Sequence, residues 1–480
     1  MSTAIDHLNR SSDWSEVRVT VLGLGIAGYA CADSLTFLGA TVTAIDAGTS
    51  ASLVEKQQIL ETLGAVVHLN KELFLPVDTD LLVVSPGLPP HHEVIVEALE
   101  RNIPVWGELE LAWRLRESET AAPWLCVTGT NGKTTTTLML ESMLRAAGLV
   151  TTAAGNIGRS LVEVVMDDST NYDVIAVEVG APQLPFVYSM SPYAAVCLNI
   201  AEDHIDHFGS MANYLAAKSR VFANTQVAAV YNISDPLTLA MVEHADVIEG
   251  CRAIGFGLVT PDISELGLVE EILVDRAFVE NRQTHAQELA TIEDVHPQAM
   301  HNVANALAAA ALARSFGVDA TSVREGLIAF EPAPHRMALV AAHNGIAFIN
   351  DSKATNCHAA STALSSTASV VWVAGGDAKG QDFSDLIKKH AQRFKHVILL
   401  GRDRQEIKRA LESAAPQVAI TEIENTDPAL AMDEVVAVSL SVATSGDTVL
   451  LAPACASWDM YRNYGHRGDE FARAVRDVTQ

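Results

Sequence analysis

Basic residues are scarce in this chain. Lys and Arg number 32 against 59 Asp and Glu, a formal net charge of −27 over 480 residues. A protein that holds nucleic acid needs a basic surface, so that class is disfavoured. Any anion must be met by small local sites: glycine loops, helix N-termini, a metal ion, single Lys or Arg residues. Paired cysteines are missing too. Cys31, Cys126, Cys197, Cys251, Cys357 and Cys455 form no CxxC, which argues against a zinc ribbon or a disulfide scaffold. Several sit in apolar runs and read as buried free thiols. No apolar run approaches membrane-spanning length. The start, MSTAIDHLNRSSDWSEV, lacks the basic stretch and apolar core of a signal peptide. Repeats and low-complexity tracts are absent. The expectation is a soluble cytoplasmic protein without membrane insertion.

What the chain has is apolar sequence, 49% of it, with only 19% charged residues. That suffices for several packed cores, and the length suggests about three domains. From Val17 to Leu115 apolar strands alternate with helical stretches, the pattern of a parallel, Rossmann-like sheet. A linker is expected at RESETAAP, Arg116 to Pro123. WLCVTGT, YDVIAVEVG and YAAVCLNI then read as buried strands, and AMHNVANALAAAALARSFG as a helix ended by Gly317. EPAPHRM reads as a second linker. GIAFINDS, SVVWVAGG, KHVILLGR and DTVLLAPA read as strands of a third unit. The expected class is α/β in three domains: Rossmann-like 1–120, a P-loop-type ATPase domain 121–332 with a mostly parallel sheet, and Rossmann-like 333–480.

Two glycine turns carry the chemistry. Gly23-Leu24-Gly25-Ile26-Ala27-Gly28 follows a strand and opens a helix, the context in which GxGxxG binds a diphosphate. Asp46 closes the next strand, near the spacing at which an acid meets a ribose hydroxyl. Alone, this turn is a weak signal and suggests an NAD-dependent oxidoreductase, or a tight turn that binds nothing. The second turn, Gly129-Thr130-Asn131-Gly132-Lys133-Thr134-Thr135, is the short GxxGK[ST] form. Its N–H groups and helix dipole suit phosphate, Lys133 reaches the β- and γ-phosphates, and the Thr134 hydroxyl can ligate Mg²⁺. ATP is the expected ligand, and an oxidoreductase leaves this loop unexplained. A non-catalytic ATP-binding switch is a further alternative. Glu178 ends a buried strand, where a carboxylate is costly unless paired or metal-bound. Glu202, Asp203, His204, Asp206 and His207 follow another strand, one of them a plausible metal ligand. Lys218 reads as an ordinary helix lysine. Arg336, Asp351, Lys353, Thr355, Lys379, Ser457, Tyr464 and Arg467 gather at strand ends of the third unit and suggest a carboxylate-bearing substrate.

In order along the chain stand GTNGKTT, NIAEDHIDH with AAKSRVF, HNVAN, HR, NDSKATN and RGDEF. This series resembles the Mur ligase family over nearly the full length. GLGIAG, the SPG of Ser85 to Gly87, GGDAKG and SWDMYRNYGHRGDEF imply, within it, an ATP-dependent ligase that adds D-glutamate to UDP-N-acetylmuramoyl-L-alanine. A different amino acid, or a folylpolyglutamate-type ligase, is the alternative. The resemblance implies these three small-molecule partners, two Mg²⁺ ions and a CO₂-derived carbamate on Lys218. It also implies a monomer of the bacterial cytoplasm. Lys133, Glu178, His204 and Lys218 are the implied catalytic residues, with Thr134, Glu178, His204 and carbamylated Lys218 on metal. Asn305, Arg336 and Asp351 join the loop 129–135 at ATP. Gly23, Leu24, Gly25, Ile26, Asp46, Ser85, Gly87, Asn156 and Gln183 face the UDP substrate. Thr355, Lys379, Ser457 and Tyr464 face D-glutamate. The chain departs from the family at Gly180-Ala181, where a serine pair is common. It departs again after Asp46, where Ala-Gly-Thr lacks a basic residue.

Overall fold

Short apolar strands that bury both faces require helices on either side, and parallel sheets result. The computed structural model describes residues 4–116, 120–332 and 335–479. It contains three sheets. The first runs Val66–Leu69, Thr41–Asp46, Arg18–Leu22, Leu81–Val84, Val105–Gly107, parallel throughout. Arg18–Leu22 feeds the first glycine turn and the helix Ile26–Phe37. A Cβ on Gly28 would lie 1.8 Å from the Gly23 carbonyl oxygen, so only glycine lets this helix start against the strand end.

The second sheet runs Gln287–Thr291, Ile272–Asp275, Glu265–Val269, Arg252–Phe256, Ala228–Asn232, Ala194–Cys197, Trp124–Thr128, Val174–Glu178, Thr151–Gly155. It is parallel from Thr151–Gly155 to Glu265–Val269 and antiparallel beyond. Trp124–Thr128, Val174–Glu178 and Ala194–Cys197 are buried at every position. The alanine-rich helix Met300–Ser315 packs on the helix Lys133–Ala146 and is followed by Gly317 at φ +97°. The third sheet runs Ala338–His343, Ile346–Asn350, Thr448–Leu451, Val370–Gly375, Phe394–Leu400, Ala419–Glu422. Only its first pair is antiparallel.

The α/β class and the mostly parallel sheets accord with the sequence reading. The antiparallel edges escape it. Ala338–His343 carries an apolar run but is only half-buried, and Gln287–Thr291 opens on two exposed polar residues, so neither reads as a buried parallel strand. The chain packs as two compact units, Met1–Phe330 with the first two sheets and Glu331–Gln480 with the third. Parts of both expected linkers, residues 117–119 and 333–334, lie outside the described residues. All six cysteines are free thiols, with Cys31, Cys126, Cys197 and Cys455 buried. Among the described residues no helix is long and apolar enough to cross a membrane.

Candidate active site

Parallel strands direct their carboxyl ends to one edge, and polar residues placed there meet. Trp124–Thr128 runs between Ala194–Cys197 and Val174–Glu178. Its end supplies the loop from Gly129 to Gly132 and the helix Lys133–Ala146, whose start has no side-chain cap. The first N–H groups of that helix therefore suit an anion. Gly132 sits at φ +85°, and a Cβ there would meet Asn305 Oδ1 at 2.5 Å. Asn305 thus lies against the loop, its Nδ2 donating to Asn302 Oδ1 at 3.3 Å. The loop is pinned from outside. Asn131 N–H donates to Asn199 Oδ1 at 2.9 Å, Asn199 Nδ2 donates to Asn131 O at 3.1 Å, and the Thr130 and Tyr214 hydroxyls bond at 2.8 Å. Thr135 follows Thr134 in the first helical turn.

Two lysines share one acceptor here. Lys133 Nζ donates to Gly129 O at 2.9 Å and to Thr130 O at 3.0 Å. Lys218 Nζ donates to the same Gly129 O at 2.8 Å and to Thr128 Oγ1 at 3.4 Å. Lys218 is only 1% exposed. Burial, and after it the Lys133 charge, lower its pKa to about 7. Beside them, Thr134 Oγ1 donates to Glu178 Oε2 at 2.7 Å and Asn156 Nδ2 to Glu178 Oε1 at 2.9 Å. These two donors offset the cost of burying the Glu178 carboxylate. Among the described residues no three His, Cys, Asp or Glu side chains cluster as a metal cage. Mg²⁺ does not need one, since it commonly takes one or two protein oxygens plus phosphates and water. The Thr134 hydroxyl and Glu178 carboxylate fit that demand.

His204 lies at φ +55° before the short helix Ile205–Phe208, its side chain 3.7 Å from the Asp203 carboxylate and 41% exposed. His207 is held more deeply. Its Nε2 is buried without a hydrogen-bond partner, and burial followed by His204 lowers its pKa to about 4.

Around the first glycine turn the expected ligand residues brace the backbone. Asp46 accepts from Leu24 N–H at 2.6 Å and Gly48 N–H at 2.7 Å. Ser85 Oγ donates to Gly23 O at 2.9 Å. The Leu24 side chain is buried, so only its backbone faces the turn, whereas Ile26 is exposed. Lys56, from the following helix Ala51–Leu63, donates to Leu24 O at 2.8 Å. It places a cation beside Asp46 that the sequence reading misses. Gln183 is buried, and its amide is turned inward.

In the second unit one buried cation organises the strand ends. Arg467, 1% exposed, donates to Ser352 Oγ (3.0 Å), Ser352 O (2.9 Å), Cys455 O (3.1 Å), Ala456 O (3.3 Å) and Gly375 O (3.4 Å). All five acceptors are uncharged oxygens, and burial lowers its pKa to about 10. It ties together the loops after Ile346–Asn350, Thr448–Leu451 and Val370–Gly375, which carry Thr355, Ser457 and Lys379. Tyr464 is partly exposed, with Lys353 Nζ 3.9 Å from its ring centre. Burial raises the Asp351 pKa to about 6, which Arg336 opposes. Replacing Arg467 with methionine is expected to strand buried carbonyls and cost about 3 kcal/mol. Urea unfolding of the full chain should show an earlier first transition, and an unchanged one would refute this role. Arg467 and Asn199 stand inside motifs legible in the sequence, and Tyr214 lies two residues before one, but only the fold shows what they hold.

The residues 127–313 match the Mur ligase middle domain, 335–455 the Mur ligase glutamate ligase domain, and 17–107 the MurD-like N-terminal domain of Mur ligases. The protein belongs to the Mur ligase family. It is 52% identical to a UDP-N-acetylmuramoylalanine–D-glutamate ligase of Streptomyces avermitilis over 97% of this chain and 99% of that one. A ligase of the same name from Thermobifida fusca is 47% identical over 96% and 98%. In fold it is similar to MurC of Thermotoga maritima, with a TM-score of 0.57 and 19% identity over 96% of this chain and 100% of that one.

Proposed function

We propose that this protein joins D-glutamate to UDP-N-acetylmuramoyl-L-alanine, cleaving ATP to ADP and phosphate, as a cytoplasmic monomer in peptidoglycan precursor synthesis. The observation that carries the chemistry is the meeting of Lys133, Lys218, Thr134 and Glu178 at one loop. The choice of substrates is supported by the names of full-length relatives at 52% and 47% identity. On this reading residues 1–120 take the UDP moiety, 121–332 ATP, and 333–480 the amino acid.

A carboxylate resists an amine nucleophile because oxide is a poor leaving group. Transfer of the γ-phosphoryl to the alanine carboxylate makes an acyl phosphate; the D-glutamate amine then attacks its carbonyl, and phosphate leaves. The work of the protein is positioning and charge neutralisation. Lys133 and the uncapped helix start meet the phosphate charge. Asn305 and the loop 129–135 orient ATP, with Arg336 and Asp351 as its further contacts. Asn156 orients the UDP substrate, while Asp46 and Ser85 hold the turn that receives its diphosphate. Lys379, Thr355, Ser457 and Tyr464 are assigned to D-glutamate. Thr134, Glu178, His204 and modified Lys218 would hold two Mg²⁺ ions, which would supply charge neutralisation on phosphate. A neutral Lys218 amine reacting with CO₂ forms an N–C bond and releases a proton. An anionic carbamate then stands beside the Lys133 ammonium in place of a second cation.

The test is ADP release with UDP-N-acetylmuramoyl-L-alanine and a panel of amino acids. Turnover is expected with D-glutamate and at least about 100-fold less with L-glutamate or L-lysine, since misfitting buried polar groups are strongly rejected. Preference for another amino acid, or ATP turnover without either substrate, would sink the assignment.

A further inference from the structure

Glu108 starts the helix Glu108–Leu115, directly after the last strand of the first sheet. It is 3% exposed. Its Oε1 accepts from Ser160 Oγ at 2.6 Å and from Leu161 N–H at 2.9 Å. Its Oε2 accepts from Gln183 Nε2 at 3.2 Å, and Gln183 Oε1 in turn accepts from Gly180 N–H at 2.8 Å. Ser160 and Leu161 close the loop that begins at Asn156. Gly180 and Gln183 lie in the loop that follows Glu178. Asn156 and Glu178 are themselves bonded at 2.9 Å. One carboxylate from the first sheet therefore holds the far ends of two loops whose near ends meet at the candidate site. The packing is tight: a Cβ on Gly180 would come within 3.1 Å of Asn156 Oδ1 and 3.2 Å of Gln183 Oε1.

We propose that Glu108 is a positioning residue for Asn156 and Glu178, and that Gln183 is its relay rather than a hydrogen-bonding contact to substrate. This rests on the proposed ligase function. The relay has a polarity. Glu108 only accepts, and Gln183 donates on one side and accepts on the other. In Glu108→Gln, an oxygen kept on Ser160 and Leu161 leaves an NH₂ facing the NH₂ of Gln183. Turning Gln183 over moves the conflict to Gly180 N–H. In Gln183→Glu alone, two carboxylates face each other. The exchange Glu108→Gln with Gln183→Glu restores every bond, because the carboxylate then carried at position 183 accepts both from Gly180 N–H and from the amide introduced at position 108.

The experiment compares wild type, both single variants and the double. Each single variant is expected to lose about 10–100-fold in kcat/KM for the UDP substrate, the scale of one unpaired buried group. The KM for D-glutamate should stay constant, and the double variant should return to within about threefold of wild type. Independently of activity, hydrogen exchange should show the Gly180 amide losing protection in Glu108→Gln and regaining it in the double, while the Leu161 amide, which keeps an oxygen acceptor, stays protected. Singles that match wild type, or a double that is unfolded or no better than the weaker single, would overturn the relay. If wild type itself fails to turn over these substrates while exchange still follows the swap, the function assignment falls and the relay stands.

Discussion

Alanine at Lys133 is expected to lower ADP release about 1,000-fold, equivalent to about 4 kcal/mol of transition-state stabilisation. The chain is strongly acidic, so a triphosphate is held only where local positive charge is concentrated. At Gly129–Gly132 that concentration consists of the helix start, Lys133 and Lys218. Of the two lysines, Lys133 opens the helix and is part-buried, whereas Lys218 is buried beneath the loop. On the proposed function, removing Lys133 deletes the charge that would neutralise the transferring phosphoryl group. Stability should change by under about 1 kcal/mol, because two bonds to loop carbonyls are lost while repulsion of Lys218 is relieved. Lys133 is a named cause of the depressed Lys218 pKa, so the variant should also raise that pKa. Initial-rate assays with a melting curve check both parts. A variant that condenses its substrates at the wild-type rate would refute the role of this loop.

Much of this site is legible in the sequence, because its loops follow continuous apolar strands with punctuated ends. Gly129, Gly132 and Lys133 stand where a buried strand meets a helix; positive φ restricts the first two to glycine, and phosphate calls for the charge of the third. Glu178 is legible as an acid in a strand with no other reason to carry one. Lys218 is not. Its helix, Met211–Ser219, has a sequence like many solvated helices, and only the fold turns that lysine under Gly129. The resemblance to a family supplied what the residue pattern lacked. Glu108 and Glu110 were silent for the same reason: two glutamates in a helix read as solvated charge, yet both are buried, Glu110 accepting from Tyr188 and Ser189 N–H. Arg467 sits in a recognisable motif, but the five acceptors it gathers come from three loops far apart in sequence. Local spacing reports strand ends and turns; it does not report which distant carbonyls meet there.

Alanine at Lys218 is expected to lower ligation about 100–1,000-fold, and short carboxylates such as acetate are expected to restore part of it. The physical basis is the depressed pKa of about 7. An ammonium neither ligates Mg²⁺ nor reacts with CO₂, so modification requires the neutral amine, which is the minor form below that pH and dominates above it. Activity assayed in CO₂-depleted buffer should therefore fall, recover with added bicarbonate, and recover more completely at pH 8 than at pH 6. The stability linkage has a definite sign. The unfolded lysine keeps its proton to about 10.5, while the folded one releases it near 7, so the unfolded state binds more protons between those values. Stability should rise with pH across that window, and Lys218→Met should flatten the rise. Acetate can fill the space left by alanine with an anion but cannot attach to the chain, so rescue should saturate with acetate concentration and be absent in Lys218→Met, where the cavity is filled. Full activity of Lys218→Ala without any added carboxylate would exclude a carbamate from the mechanism and leave the buried amine as a loop anchor on Gly129.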